Sequence, residues 1–226
     1  MQLSLGVNLQ DDLHFGNFLP GQNAAALGEL REQLRADGFH YIFLWGREDS
    51  GKTHLLHAAC ADAEQRHKTA VYLDLNETGQ QASRLAEPDD GLVCIDNLHL
   101  VAGQPDWEEA LFHLFNRIKE KEGMLVIAAS CAPSHLDVQL QDLASRLSWG
   151  LTYQLQTLKD EEKLTVLKMR AKQRGMEMPD EVGRYVLNRS PRRLSGLFAL
   201  LDTLDETSLK QQRKLTIPFV RQALNW

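Results

Sequence analysis

Eight residues, Gly46-Arg47-Glu48-Asp49-Ser50-Gly51-Lys52-Thr53, join an apolar run, Tyr41-Ile42-Phe43-Leu44-Trp45, to a helical stretch, Thr53-His54-Leu55-Leu56-His57-Ala58-Ala59-Cys60. The spacing G-x-x-x-x-G-K-[ST] is that of a backbone cradle for phosphate. Its two glycines let the main chain turn tightly and bring N–H groups against phosphate oxygens. Lys52 brings a point charge for the outer phosphates. Thr53 brings a hydroxyl for Mg²⁺ at the start of a helix, where the dipole favours anions. All eight residues are therefore nucleotide-binding candidates, and His54, directly after them, is counted with them. Such a loop needs a strand before it and a helix behind it, so the chain must build a sheet with helices packed on it.

The rest of the chain supplies that alternation. Short apolar runs at 41–45, 69–74, 91–96, 124–130 and 151–155 read as strands, and helical patterns at 23–36, 53–67, 106–121 and 137–147 lie between them. Strands that are apolar throughout predict a parallel sheet covered on both faces, an α/β fold with ligands at the carboxyl ends of the strands. Asp106 is the expected N-cap of the third helix, and Gly123 follows its end. After Leu155 the strand pattern stops. A helix over 160–174 ends at Gly175, Pro179 opens a second, Ser190-Pro191 caps and opens a third, and Thr216-Ile217-Pro218 begins a short last one. The expected organisation is a tail at 1–12, a phosphate-loop domain at 13–157 and a small all-helical lid at 158–226.

Composition limits the partners. Of the 226 residues, 43% are apolar, enough for a real core, yet no run approaches the ~18 apolar residues of a membrane span. The first residues lack the basic region and apolar stretch of a secretory leader, so a cytoplasmic protein without membrane contact is expected. Cys60, Cys94 and Cys131 share no metal-binding spacing and read as reduced core thiols. Residues 159–226 hold 14 Lys+Arg against 9 Asp+Glu, whereas residues 1–158 hold 11 against 22. An acidic larger part is a poor non-specific DNA binder; the basic C-terminal part faces solvent, phosphates, a partner or DNA. His54, His57 and His99 lie near the motifs, but none has a second ligand at metal-binding spacing, and as a group they read as structural.

Leu92-Val93-Cys94-Ile95-Asp96 is an apolar strand ending in a carboxylate. Asp96 is thereby expected to reach Mg²⁺, or its water, opposite Thr53. Asn97 follows where ATPases of the AAA+ class usually carry Glu to polarise the attacking water. An amide cannot take a proton, so bound nucleotide should be hydrolysed slowly if at all. Ser130 ends the strand 124–130, where AAA+ proteins keep a polar residue that senses the outermost phosphate, and that likeness implies the same role for it.

Asp142-Leu143-Ala144-Ser145-Arg146-Leu147-Ser148-Trp149-Gly150 resembles the arginine-finger segment of the DnaA family of bacterial replication initiators. The resemblance extends over about residues 13–224, within the family's AAA+ core and lid. It implies that Arg146 acts in trans, on nucleotide held by a neighbouring molecule. Ser190-Pro191-Arg192-Arg193-Leu194-Ser195-Gly196-Leu197 resembles the start of the family's second sensor helix, which makes Arg192 a phosphate contact from the lid. His14-Phe15-Gly16-Asn17-Phe18-Leu19-Pro20-Gly21 resembles the segment lining the base side of the nucleotide, and brings in Asn17 and Phe18. Gln2-Leu3-Ser4-Leu5 resembles the short peptide that docks on the β sliding clamp, through Gln2, Leu3 and Leu5.

These matches, with the acidic core, imply a negative regulator of initiation rather than an origin reader. The implied cofactors are ADP or another nucleoside diphosphate, with ATP as the alternative, and Mg²⁺. The implied partners are the clamp, DnaA and a second copy in a homo-oligomer such as a dimer, with DNA reached mainly through the clamp. Two other readings stay open: an autonomous AAA+ ATPase or helicase-loader-like replication adaptor, and a passive tether.

Overall fold

The computed structural model describes residues 13–77, 81–88, 90–191 and 193–226. Contacts divide the chain into two units. One holds residues up to Phe18, Asn23–Gly46 and Gly51–Leu155; the other holds Leu19–Gln22, Arg47–Ser50 and Gln156–Trp226.

The first unit is built on five strands, β1 (His40–Trp45), β2 (Ala70–Asp74), β3 (Leu92–Asp96), β4 (Met124–Ala129) and β5 (Leu151–Gln154). All pair in parallel, in the spatial order β2-β3-β4-β1-β5. Successive side chains of a strand point to opposite faces, so the central strands serve two cores. Tyr41, Phe43, Val93, Ile95, Leu125 and Ile127 join one cluster; Ile42, Leu44, Cys94, Val126 and Ala128 join the other. Among the described residues β5 pairs with β1 alone, and it is largely exposed.

Among the described residues four α-helices cover this sheet: α1 (Ala24–Gln33), α2 (Lys52–Gln65), α3 (Pro105–Glu120) and α4 (Gln141–Leu147). α1 and α2 pack on one face, α3 and α4 on the other. α3 buries Trp107, Leu111, Leu114, Phe115 and Ile118, the spacing of a single helical stripe. Its start differs from expectation. Pro105 occupies the first turn, Gln104 is the N-cap, and Asp106 lies inside the helix beside Glu108. Pro suits that place because its missing N–H would have had no partner there.

α4 is shorter than the expected 137–147, and Glu108 explains why. This α3 carboxylate is 2% exposed. It accepts the Gly103 N–H at 2.8 Å, the Gln139 N–H at 3.0 Å and the Leu140 N–H at 2.7 Å. The residues before Gln141 are thus held by a partner in another helix instead of by their own helical turn.

The second unit contains α5 (Asp160–Gln173), α6 (Asp180–Arg189), α7 (Leu194–Gln211) and α8 (Ile217–Leu224). Leu167, Ala171, Val182, Val186, Leu197, Leu201, Leu204 and Phe219 form its core. α5 ends before Gly175, whose φ of 75° suits glycine. α8 is capped as expected, with the Thr216 side chain accepting the Phe219 N–H at 3.3 Å. α7 begins later than expected. Ser190 closes α6, Arg193 is the N-cap residue of α7, and the first helical residue is Leu194. Asp49, one of the loop residues grouped with this unit, accepts the Leu194 N–H at 3.0 Å and so satisfies a donor at the start of α7.

Candidate functional site

α2 starts directly behind the glycine-rich loop. Gly51 is its N-cap residue, in the left-handed region at φ 94°. A Cβ there would stand 2.7 Å from the Phe18 ring. Backbone conformation and close approach therefore both require glycine. The Lys52 ammonium donates to the Gly46 carbonyl at 2.8 Å, folding its stem back along the loop.

Asp96 ends β3 and is 1% exposed. The Thr53 hydroxyl donates to its Oδ2 at 2.5 Å, and the Tyr72 hydroxyl donates to the same oxygen at 3.2 Å. The Asn97 N–H donates to Oδ1 at 2.8 Å. A hydroxyl and a carboxylate in contact are the hard oxygen donors that Mg²⁺ takes alongside phosphates and waters. No cluster of three or more His, Cys, Asp or Glu able to hold a metal exists among the described residues. The donor set therefore fits a cation shared with a phosphate ligand, not one caged by protein alone. Burial, then the charges of Asp96 and Asp74, drive the Tyr72 phenol far above its ordinary value, so it stays a donor.

Asn97 adopts φ 62°, and its side-chain amide donates to the Asp74 carboxylate at 2.7 Å. Two residues on, His99 accepts the Ser130 N–H on Nδ1 at 3.2 Å. Burial lowers the His99 pKa, the Lys52 ammonium lowers it further, and Asp96 opposes both. Ser130 follows β4 and is exposed.

The leading segment packs against α2. His54 Nε2 pairs with the His14 carbonyl at 3.1 Å, and the Phe18 ring meets His54 edge-on at 5.2 Å. Asn17 is buried and accepts the His14 N–H at 3.1 Å. Asn17 and His54 thus make internal contacts, and Phe18 backs Gly51.

Arg146 stands elsewhere in the same unit, in the last turn of α4. Its guanidinium lies 4.7 Å from the Phe112 ring centre and 5.6 Å from that of Phe115, both on α3. Trp149, 62% exposed, stacks on Phe39 at 6.0 Å with Lys119 4.7 Å from its ring centre. The cations and rings hold one another in cation–π contacts.

In the second unit, Glu48 and Arg193 form an exposed ion pair at 2.6 Å. Arg47 and Ser50 belong to the same stretch of loop, where the Ser50 N–H donates to the Arg47 carbonyl at 3.3 Å. Arg192, Gln2, Leu3 and Leu5 lie outside the described residues. Cys60, Cys94 and Cys131 are free thiols, the first two buried. No helix of the described residues is long and apolar enough to cross a membrane.

Thr53 and the strand-end acid thus meet. Sequence reasoning missed Tyr72, Asp74, Glu108 and the place of His99. None of these lies in a recognisable spacing; an apolar strand closing on Tyr72 and Asp74 beside one closing on Asp96 was the only signal.

Comparison with known proteins gives the same picture. Residues 9–154 match the family model of the bacterial DnaA ATPase domain, and residues 160–224 match that of the Hda lid domain. Domain III of DnaA from Thermotoga maritima is 22% identical, with a TM-score of 0.75, over 95% of this chain and 96% of that one. AMPPCP-bound DnaA from Aquifex aeolicus is 23% identical, with a TM-score of 0.68, over 89% and 68%. RuvB from Thermotoga maritima, a Holliday junction branch migration motor, is 17% identical, with a TM-score of 0.66, over 94% and 71%. At these identities the solved structures establish the fold: an AAA+ parallel sheet followed by a helical lid.

Proposed function

The chain belongs to the DnaA family of bacterial replication proteins, and from that premise we infer a regulator of replication initiation that binds nucleotide and acts on the nucleotide of another family member. The nucleotide is ADP, bound with Mg²⁺ by the 46–53 loop, Thr53 and Asp96, with Ser130 and Arg192 as further phosphate contacts. Mg²⁺ supplies positive charge to the phosphates. Gln2, Leu3 and Leu5 dock the protein on a sliding clamp loaded on DNA, so DNA is reached indirectly. A second copy completes a dimer. Arg146 enters the site of an adjacent DnaA, where a guanidinium stabilises charge on the transferring phosphoryl group and raises the hydrolysis rate about a thousandfold or more.

The observation that carries this reading is the 2.7 Å hydrogen bond from Asn97 to Asp74. It engages an amide, unable to accept a proton, at the position where ATPases of this class hold a carboxylate base. A chain without that base at its own phosphates suits the role of activator better than that of motor. The exposed Trp149 and the half-exposed Arg146, stacked on α3, support a surface that meets another molecule.

The test is single-turnover hydrolysis of labelled ATP preloaded on DnaA, with the clamp on DNA, adding the protein or its Arg146→Ala form. Rapid hydrolysis with the parent alone is expected. Equal rates with and without the protein would overturn the reading. Equal stimulation by parent and variant would remove Arg146 from it.

A further inference from the structure

His99 belongs to none of the residues assigned above, yet the fold brings it to the phosphate end of the site. It lies in the 3₁₀ turn Leu98–Leu100 that follows β3. The strand order is β2-β3-β4-β1, so β3 has β2 on one side and β4, then the loop-bearing β1, on the other. The left-handed Asn97 divides these two directions. Its own side chain is tied to Asp74 at the end of β2. The next turn carries His99 to Ser130 at the end of β4, on the side that leads to the loop.

The hydrogen bond to Ser130 sets the chemistry of the ring. Nδ1 accepts a backbone N–H, so the neutral imidazole carries its proton on Nε2. Nε2 has no hydrogen-bond partner among the described residues. The ring is half-buried and close enough to Lys52 and Asp96 to feel both charges. A fixed N–H donor thus stands in the neighbourhood of the lysine expected to hold the outer phosphates. Phosphate oxygens are acceptors and match it.

We propose that His99 is a nucleotide-contacting residue, donating its Nε2–H to the outermost phosphate of a bound nucleoside triphosphate and so distinguishing triphosphate from diphosphate. Ser130 acts in this arrangement through its backbone N–H, which fixes the tautomer and the tilt of the ring. Asn97 acts by its left-handed conformation, which directs the turn. The inference rests on the nucleotide-binding reading of the loop.

Calorimetric titration with ADP and with a β,γ-methylene triphosphate, both with Mg²⁺, tests it on the full chain. The His99→Ala form should lose about tenfold or more in affinity for the triphosphate, the loss expected of a hydrogen bond to a charged group. Its ADP affinity should stay within about twofold. His99→Gln, which retains an N–H donor, should recover part of the loss. Equal weakening toward both ligands, or no change toward either, would overturn the assignment.

A parent protein that binds neither nucleotide would overturn the nucleotide reading as well, and that result is distinct from both. Imidazole NMR on the unaltered protein gives a second readout, independent of variant folding. The Nε2–H signal of His99 should shift and become protected from exchange with the triphosphate and not with ADP. Identical spectra with the two ligands would sink the proposal.

Discussion

Thr53 donates its hydroxyl to the Asp96 carboxylate at 2.5 Å, which ties the first turn of α2 to the tip of β3. Asp96→Asn keeps the size of the side chain and one carbonyl oxygen for the Thr53 and Tyr72 hydroxyls, but removes the anion. The amide nitrogen that replaces Oδ1 can no longer accept the Asn97 N–H, so without nucleotide the variant's Tm should fall by up to about 10 °C. The stabilisation that the proposed Mg²⁺-nucleotide binding would give the parent, about 2.7 kcal/mol at a hundredfold excess over Kd, should largely vanish. Thermal scans with and without Mg²⁺-ADP read both effects. An undiminished increment would show that Asp96 is not at the cation.

Glu108 should matter more to stability than its charge suggests. Truncation to alanine leaves the N–H groups of Gly103, Gln139 and Leu140 without their buried acceptor. At about 1–3 kcal/mol for each stranded donor, Glu108→Ala should cost about 3 kcal/mol or more in urea unfolding. It should also impair the activity proposed for Arg146, because Leu140 leads directly into α4. Glu108→Gln, which keeps one acceptor oxygen, should fall between. A loss under about 1 kcal/mol for Glu108→Ala would mean that solvent takes over these donors.

Gly150 closes the segment that carries Arg146, and packing explains its identity. A Cβ there would lie 2.2 Å from Tyr41 Cδ1 and 2.6 Å from the Tyr41 carbonyl oxygen. The carbonyl belongs to β1, which is paired on both sides, by β4 and β5, and has little room to move. Gly150→Ala should therefore destabilise by about 1–3 kcal/mol, seen as a lower urea midpoint with unchanged slope. A midpoint equal to that of the parent would show that the β1–β5 edge yields easily.

Stability should fall on mild acidification. Burial lowers the imidazole pKa values of His57 and His99 below 6.5, against the opposing charge of Asp96. Between those lowered values and 6.5 the unfolded chain binds more protons than the folded one, so stability rises with pH there. The contribution is complete above about 6.5, is lost as the pH falls through that window, and levels off below the folded-state values. Urea midpoints across this range should show the slope, and His57→Gln should flatten part of it. A midpoint that rises on acidification would contradict these shifts.

Local pattern carried much of this molecule. The Gly46–Thr53 spacing, the apolar runs of β1, β3 and β4, the acid at the tip of β3 and the Thr216 cap follow from neighbours within a few residues. A backbone cradle, a buried strand and a capped helix start are each specified at that range. Where local reading failed, another group had taken over. Asp106 yielded the cap position because Pro105 already opened the helix. The 137–140 stretch stayed out of α4 because Glu108, 31 residues before Gln139, claimed its N–H groups.

The partnerships that give the site its character come from similar distances along the chain. Asn97 meets Asp74 across 23 residues, Tyr72 meets Asp96 across 24, and His99 meets Ser130 across 31. Each depends on β3 lying between β2 and β4. Periodicity says that a strand exists and which of its faces are apolar; it does not say which strand lies beside it. The sequence by itself thus determined a parallel α/β sheet with a phosphate loop and a helical C-terminal part. Strand order, a property of the whole packed sheet, decided that Asn97 turns to β2 and His99 to β4.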